Sequence, residues 1–333
     1  MLRRLSLAAS IAVAAACGSD PANPFGSPVR PPSAQAVLLF VSGSWATDTG
    51  QPRELFALNA DGSTVESLTT CAQATPACDF VQLAPSPDRA RLAAIRTTPD
   101  AEAGATALYF MDLSRAVETI LFPNRRIDSV DYAPDGSFIL YTALPPQASQ
   151  EDLFFSLPNG SDERNLTASL DFRERSPRVD PFSSTAVYEG IDESGVGRIY
   201  LFAQTLLTSG PAAGEPLPGT PYVVGGDADP VFSPDGQSIA FRRLTGAGNG
   251  GLGTWDLLTL RLDGTSTPQA VATGPLFRGA PDWGSKGILF VETDAGSARS
   301  QLVLVSADGA TRTVLRTEDA GYRMGSPRWL AGS

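Results

Sequence analysis

A short unit that occurs six times constrains this chain more than any other feature. Its clearest form runs Asp229-Pro230-Val231-Phe232-Ser233-Pro234-Asp235-Gly236 and on through Gln237-Ser238-Ile239-Ala240-Phe241. Val130 to Tyr141, built around Ala133-Pro134-Asp135-Gly136, repeats it closely, and Leu83 to Ala94, built around Ser86-Pro87-Asp88-Arg89, repeats it more loosely. Degenerate copies start at Pro177, Pro281 and Pro327. The aligned starts at 83, 130, 177, 230, 281 and 327 are 47, 47, 53, 51 and 46 residues apart. A period of this length marks an array of supersecondary units that bury their apolar faces against one another.

The chemistry of the unit predicts hairpins. Proline presets φ at the first central turn position, aspartate bonds back to the local backbone, and glycine accepts the left-handed conformation that reverses the chain. The apolar run that follows is short and rich in Ile, Phe and Tyr, as a strand buried between sheets requires. Asp61-Gly62, Asn159-Gly160, Asp263-Gly264 and Asp308-Gly309 supply a second turn, after the strand-like runs 54–58, 152–157, 256–262 and 301–306; such dipeptides are strong hairpin signals. Two hairpins per repeat make a four-stranded blade, so six repeats predict an all-β, six-bladed β-propeller over residues 36–333. The 32 Gly and 27 Pro are spread along the chain as punctuation. Residues 37–69 carry strands with no repeat start before them, and the start at Pro327 is followed by only one strand's worth of chain. Ring closure by the C-terminal strand is therefore expected, which removes the exposed sheet edges of an open ring.

The Ser-Pro-Asp-Gly turn with its flanking aromatic and Ile-Ala-Phe strand resembles the WD-repeat-like motif of TolB-type propellers, over residues 36 to 330. That resemblance implies the propeller fold. It leaves function open, because such blades occur in periplasmic scaffolds, in the gating domains of peptidases and in lyases.

Ahead of the repeats, Arg3 and Arg4 precede an uncharged run from Leu5 to Ala16 that is too short for the roughly 20 residues of a membrane-spanning helix. This is the layout of a secretory signal peptide. Cys17 directly follows Ala14-Ala15-Ala16, which resembles a lipobox, so residues 1–16 are expected to be a lipoprotein signal peptide and Cys17 the lipidated first mature residue. The rival is cleavage at the Ala14-x-Ala16 site without lipid. Residues 17–35, with Pro21, Pro24, Pro28, Pro31 and Pro32, read as a semi-extended tether. The expected location is the cell envelope, on the periplasmic side of the outer membrane or at the cell surface, held by the lipid anchor only. Of three Cys, the remaining two, Cys71 and Cys78, are expected to form a local disulfide in that oxidising compartment.

The formal net charge of −11 argues against nucleic acid as a partner. The absence of His removes Ser-His-Asp and Cys-His catalysis and imidazole ligation of metals, and no G-x-S-x-G elbow occurs. Gly246-Ala247-Gly248-Asn249-Gly250-Gly251 matches G-x-G-x-x-G but lies between two strands, whereas a dinucleotide site opens a helix. Asp227, Asp229 and Asp235 lack the spacing of a calcium loop. Neither cofactor nor metal is expected.

What remains is a set of charges just ahead of the repeat starts, where the chain should enter the innermost strand of each blade: Asp79, Asp128, Arg173, Arg175, Asp227, Asp229, Arg278 and Arg323. A mixed-charge ring at the mouth of the central channel suits a peptide terminus, a carboxylate or an anionic glycan; the alternative is a set of solvated charges paired across blades. The expectation is a non-catalytic, monomeric envelope lipoprotein that binds a protein or peptide at this mouth. The alternative is a carbohydrate-active enzyme, a glycoside hydrolase or lyase working with carboxylates in the channel.

Overall fold

The computed structural model of the chain describes residues 30–44, 52–69, 79–97, 106–113, 117–122, 125–168, 172–182, 185–202, 214–218, 220, 225–247, 253–294, 296–297, 299–318 and 322–330. The expected signal peptide, the lipidation site Cys17 and the expected disulfide partners Cys71 and Cys78 lie outside the described residues. So does the middle of the glycine-rich loop at 248–252.

Twenty-five strands and no helix are found among the described residues. Blade 1 begins with β1 (Ala36–Ser44), β2 (Glu54–Asn59) and β3 (Val65–Ser67). Blade 2 holds β4 (Asp79–Pro85), β5 (Arg91–Thr97), β6 (Thr106–Asp112) and β7 (Val117–Leu121), and blade 3 holds β8 (Ile127–Tyr132), β9 (Ile139–Ala143), β10 (Asp152–Ser156) and β11 (Arg164–Asn165). Blade 4 comprises β12 (Arg173–Val179), β13 (Ala186–Ile191), β14 (Gly197–Phe202) and β15 (Glu215–Pro216). Blade 5 comprises β16 (Asp227–Phe232), β17 (Ser238–Gly246), β18 (Thr254–Arg261) and β19 (Gln269–Ala272). In blade 6 the innermost strand is broken into β20 (Phe277–Arg278) and β21 (Asp282–Gly284), followed by β22 (Gly287–Asp294), β23 (Arg299–Val305) and β24 (Arg312–Glu318). Finally β25 (Tyr322–Trp329) returns to blade 1 as its innermost strand, in the order β25-β1-β2-β3. The six-bladed propeller and its C-terminal closure are as the repeats predict. The closing strand starts at Tyr322, ahead of the repeat start at Pro327, and runs through it.

The turns form for the expected reasons. In blade 5 the Asp235 carboxylate accepts from Ser233 Oγ and from the Gln237 N–H, and Gly236 takes φ 67°. At the looser copy in blade 2 the glycine is replaced by Arg89, which still adopts φ 60°; Asp88 accepts from Ser86 Oγ and the Ala90 N–H and holds the turn in that conformation.

The strands after these turns are buried on both faces. β9 is buried at all five of its positions, because each sheet is covered by a neighbour on either side. Apolar residues are thus grouped between blades rather than at one centre. Leu39, Leu55, Phe80 and Leu92 belong to the layer between blades 1 and 2, while Leu38, Phe40, Leu289 and Val291 belong to the layer between blades 6 and 1. The part of the expected tether nearest the first strand is also seated: the Arg30 N–H donates to Leu68 O at 2.8 Å, the Ser33 N–H to Glu66 Oε2 at 3.1 Å, and Arg89 Nη2 to Ala36 O at 2.6 Å. Arg30 and Ser33 are thus bonded to blade 1, and residues 31–34 share a surface cleft with Arg89, Ala90 and Leu113 of blade 2.

The closing seam is held by Trp329. Its backbone N–H donates to Asp282 Oδ2 at 2.7 Å and its indole Nε1 to Gly287 O at 3.2 Å, both in blade 6. The ring lies so close on Gly284 that a Cβ there would stand 2.5 Å from Trp329 Cδ1. Replacing Trp329 by Ala is expected to lower the unfolding free energy by about 3 kcal/mol, the usual size for loss of a large packed aromatic. Equilibrium denaturation measures this directly; a loss under about 1 kcal/mol would show that the backbone ladder alone carries the closure.

Candidate functional site

Each innermost strand contains one residue more than the strand beside it. The register shifts fall at Phe80/Gln82 in β4, Ile127/Ser129 in β8, Arg175/Arg178 in β12 and Ala228/Val231 in β16. In blade 6 the break between β20 and β21 does the same, with Arg278 opposite Glu292 but Asp282 opposite Leu289. In blade 1, Gly325 faces Val41 while Arg328 faces Leu39. These are β-bulges, which re-aim side chains and are one of the few places a sheet accepts proline. Pro177, Pro230, Pro281 and Pro327, which mark the repeat starts in the sequence, sit at them, and the residues before three of them, Ser176, Asp229 and Ser326, take φ of 49°, 49° and 45°.

The bulges direct two rings of side chains at the axis, where they line a cavity of about 440 Å3. One ring knits the blades together. Gln82 Oε1 accepts from the Val130 N–H at 2.7 Å, Ser129 Oγ from the Ser176 N–H at 3.0 Å and Ser326 Oγ from the Leu83 N–H at 3.0 Å, while Ser176 Oγ donates to Asp229 Oδ1 at 2.5 Å. Each bond runs from one blade to the next.

One residue past the repeat starts, a cluster of charges closes the floor. Arg178 of blade 4 bonds across the axis to Asp282 of blade 6, and its Nε lies 3.7 Å from Asp131 Oδ2 of blade 3. Arg328 of blade 1 lies 3.4 Å from Asp282 Oδ1 and donates to Leu83 O at 2.7 Å. These side chains are only 7–15% exposed. Burial pushes the carboxyl groups of Asp131 and Asp282 up from the ordinary range, with Arg178 opposing it in both. The backbone N–H groups of Val179 and Trp329 complete their shells, at 3.1 and 2.7 Å.

Above the floor, the wall on blades 3 to 5 alternates in sign. Arg175 Nε donates to Asp128 Oδ2 at 2.7 Å, and Arg242 bonds to Asp229. Between the two guanidinium groups stands Glu189, cross-strand partner of Arg175, with its carboxyl in room left by Gly197, where a Cβ would lie 2.8 Å from Oε1. Burial, and then the charge of Asp229, push Glu189 up to about 7 against the pull of Arg242 and Arg175. Asp229 goes the other way: burial raises it, but Arg242, the Ser176 hydroxyl and Arg175 together outweigh burial and hold it below the ordinary carboxylate value. Trp255 and Phe277 add an aromatic patch, with the Arg242 guanidinium 4.1 Å from the Trp255 ring centroid.

Of the eight charges singled out in the sequence, Asp128, Arg175, Asp229 and Arg323 line this cavity. The other four stand, like Arg323, three or four residues ahead of the repeat starts and upstream of the bulge, but pair with residues of the walls. Asp79 accepts from Arg53 Nε at 2.7 Å, Arg173 lies 3.7 Å from Glu151, and Asp227 is held by Arg243 through bonds of 2.6 and 2.8 Å. Arg278 is buried, bonded to Glu292 Oε1 at 3.0 Å, Trp255 O at 2.6 Å and Thr273 O at 2.7 Å; it fastens the chain before β20 to its blade. Sequence reasoning passed over Glu189, Arg242 and the floor residues Asp131, Arg178, Asp282 and Arg328. The signal for the floor residues was their common offset, each one residue past a repeat start; Glu189 and Arg242 stand on the second strands of their blades. Among the described residues no group of three His, Cys, Asp or Glu comes together as a metal site.

The raised carboxyl of Glu189 has a stability signature. A raised acid contributes stability that is fully present below its unfolded value of 4.5 and is lost as pH rises through about 7. The protein should therefore lose ~2 kcal/mol between about pH 5 and pH 8 through this group, and Glu189→Gln should flatten that slope. Urea unfolding across the window measures both; parallel slopes would remove Glu189 as the cause.

No family model matches the chain, and no curated protein matches it. Its fold is found in solved structures. TolB from Acinetobacter baumannii superposes with a TM-score of 0.65 at 17% identity, over 89% of this chain and 67% of that one. The putative TolB from Agrobacterium tumefaciens gives 0.61 at 15%, over 89% and 99%. An oligogalacturonate lyase in complex with manganese gives 0.51 at 13%, over 86% and 76%. Identities this low speak for architecture and not for activity. In architecture, the chain is a six-bladed β-propeller with the fold seen in TolB.

Proposed function

We propose that the chain is a non-catalytic binding protein of the cell envelope, lipid-anchored through Cys17 and monomeric, whose mouth cavity receives a segment of a protein partner. The observation that carries this reading is the cavity itself. It is a socket of about 440 Å3, within the size range of ligand sites, and it ends on a buried ion cluster that gives it a fixed floor. Its hydrogen-bonding ring and ion pairs hold the walls in place before any ligand arrives, which lowers the ordering cost of binding. The envelope location rests on the signal peptide and lipobox pattern at residues 1–17. The likeness of the repeats to TolB-type propellers, among which periplasmic scaffolds occur, supports the same reading.

A second reading draws on one specific observation. Glu189 pushed up to about 7 beside Asp229 held low is the divergence of two carboxylates that general acid and base roles require. On that reading the chain is a carbohydrate-active enzyme, and release of new chain ends from neutral or acidic oligosaccharides would be abolished by Glu189→Gln.

The test of the first reading is crosslinking of the tagged protein in cells, followed by purification and mass spectrometry of what is attached. A reproducible envelope protein is the expected result. The combined change Trp255→Ala and Phe277→Ala, which removes the aromatic patch of the cavity lining, should reduce its capture about tenfold or more, equivalent to ~1.4 kcal/mol. Arg261→Glu, at an exposed position away from the cavity, should leave capture unchanged. Equal capture by all three proteins would move the contact surface away from the mouth.

A further inference from the structure

We propose that the mouth cavity selects a ligand carrying a primary ammonium group, which forms with Glu189 the ion pair that the protein itself leaves open. This rests on the mouth being the binding site and adds the chemistry of what enters it.

Three carboxylates line the cavity, Asp128, Glu189 and Asp229. Two have guanidinium partners of their own, Arg175 for Asp128 and Arg242 for Asp229. Glu189, nine-tenths buried at 9% exposure, has no ion pair among the described residues. The charged groups that face it are Arg175 from β12, Asp229 from β16 and Arg242 from β17; β14 offers it only Gly197 and, opposite in register, Ile199. Both arginines are committed to aspartates.

A buried carboxylate without a cation of its own is costly, and either a proton or a bound cation relieves the cost. The carboxyl pushed up to about 7 is the proton doing so. A ligand ammonium would take the same place and expel that proton. An anionic ligand would have to displace aspartates from Arg175 and Arg242 before finding a cation. The aromatic patch of Trp255 and Phe277 points the same way, since it already accommodates one cation, with the Arg242 guanidinium 4.1 and 5.6 Å from the two ring centroids.

Isothermal titration of the mature protein with three probes tests the assignment: tetra-alanine with a free amino terminus, its N-acetylated copy, and cadaverine as a mimic of the lysine side chain. Binding by tetra-alanine identifies a peptide amino terminus, binding by cadaverine a side-chain amine, and either supports the proposal if the acetylated copy is at least about tenfold weaker. With cadaverine, whose alkylammonium groups stay protonated across this window, affinity should fall about tenfold from about pH 8 to about pH 6, with proton release seen as a dependence of the heat on buffer. For cadaverine, Glu189→Gln should lose about tenfold in affinity and all of the pH slope, while Glu189→Asp, which keeps the charge, should retain the slope. Equal binding of the acetylated copy, an unchanged slope in Glu189→Gln, or no binding by either amine would overturn it. If the amines fail while a crosslinked partner is still captured in a Trp255- and Phe277-dependent way, only the role of Glu189 falls. Failure of both removes the mouth as a binding site.

Discussion

Every blade of this molecule buries both faces of its sheet, so none has a complete core without a neighbour on each side. Five of the six interfaces follow from chain order, but the sixth exists only because β25 adds itself to β1. That pairing brings Met324 into the apolar layer that Leu38 and Phe40 share with Leu289 and Val291, and it sets Trp329 down on Gly284. Contacts of such high sequence separation are slow to form and are bought with loop-closure entropy. Once made, they leave no blade with an open face.

The bulge on each innermost strand is the device that turns this architecture into a site. An unbroken strand at the axis would alternate its side chains between the two neighbouring blades. One extra residue breaks that alternation and aims a pair of side chains inward. Because the same insertion occurs in all six blades, the result is a lined cavity rather than a gap between sheets. Pro177, Pro230, Pro281 and Pro327 are the sequence trace of this device in four of the blades, since a ladder tolerates proline where its hydrogen bonding is already interrupted.

Blade number, the Asp-Gly and Asn-Gly hairpins and the closure were legible because each depends on local turn chemistry repeated in register. The site was legible only in half. Asp128, Arg175 and Asp229 line the cavity because they stand at the bulge; Asp79, Arg173, Asp227 and Arg278 lie upstream of it and pair with residues of the walls, whereas Arg323, also upstream, still lines the cavity. Whether a strand bulges depends on pairing with its neighbour, which one strand's sequence does not display. Glu189 and Arg242 come from second strands, so their meeting at the axis depends on the tilt of whole sheets. The buried floor is a further case: Arg178 and Asp282 lie 104 residues apart, and only the closed ring brings them together. Buried ion clusters of this kind add little to stability when weighed against apolar packing, so the cluster is better understood as fixing which blades face each other.

The floor also changes what kind of opening the axis provides. Propellers are often pictured as pierced rings, with a passage from one face to the other. Here the Asp131–Arg178–Asp282–Arg328 knot bridges four blades across the axis, so a guest at the mouth meets buried, paired side chains below it. A blind well of this sort measures its guest by depth: a chain end or a single protruding side chain can reach bottom, while the middle of a continuous strand has nowhere to go.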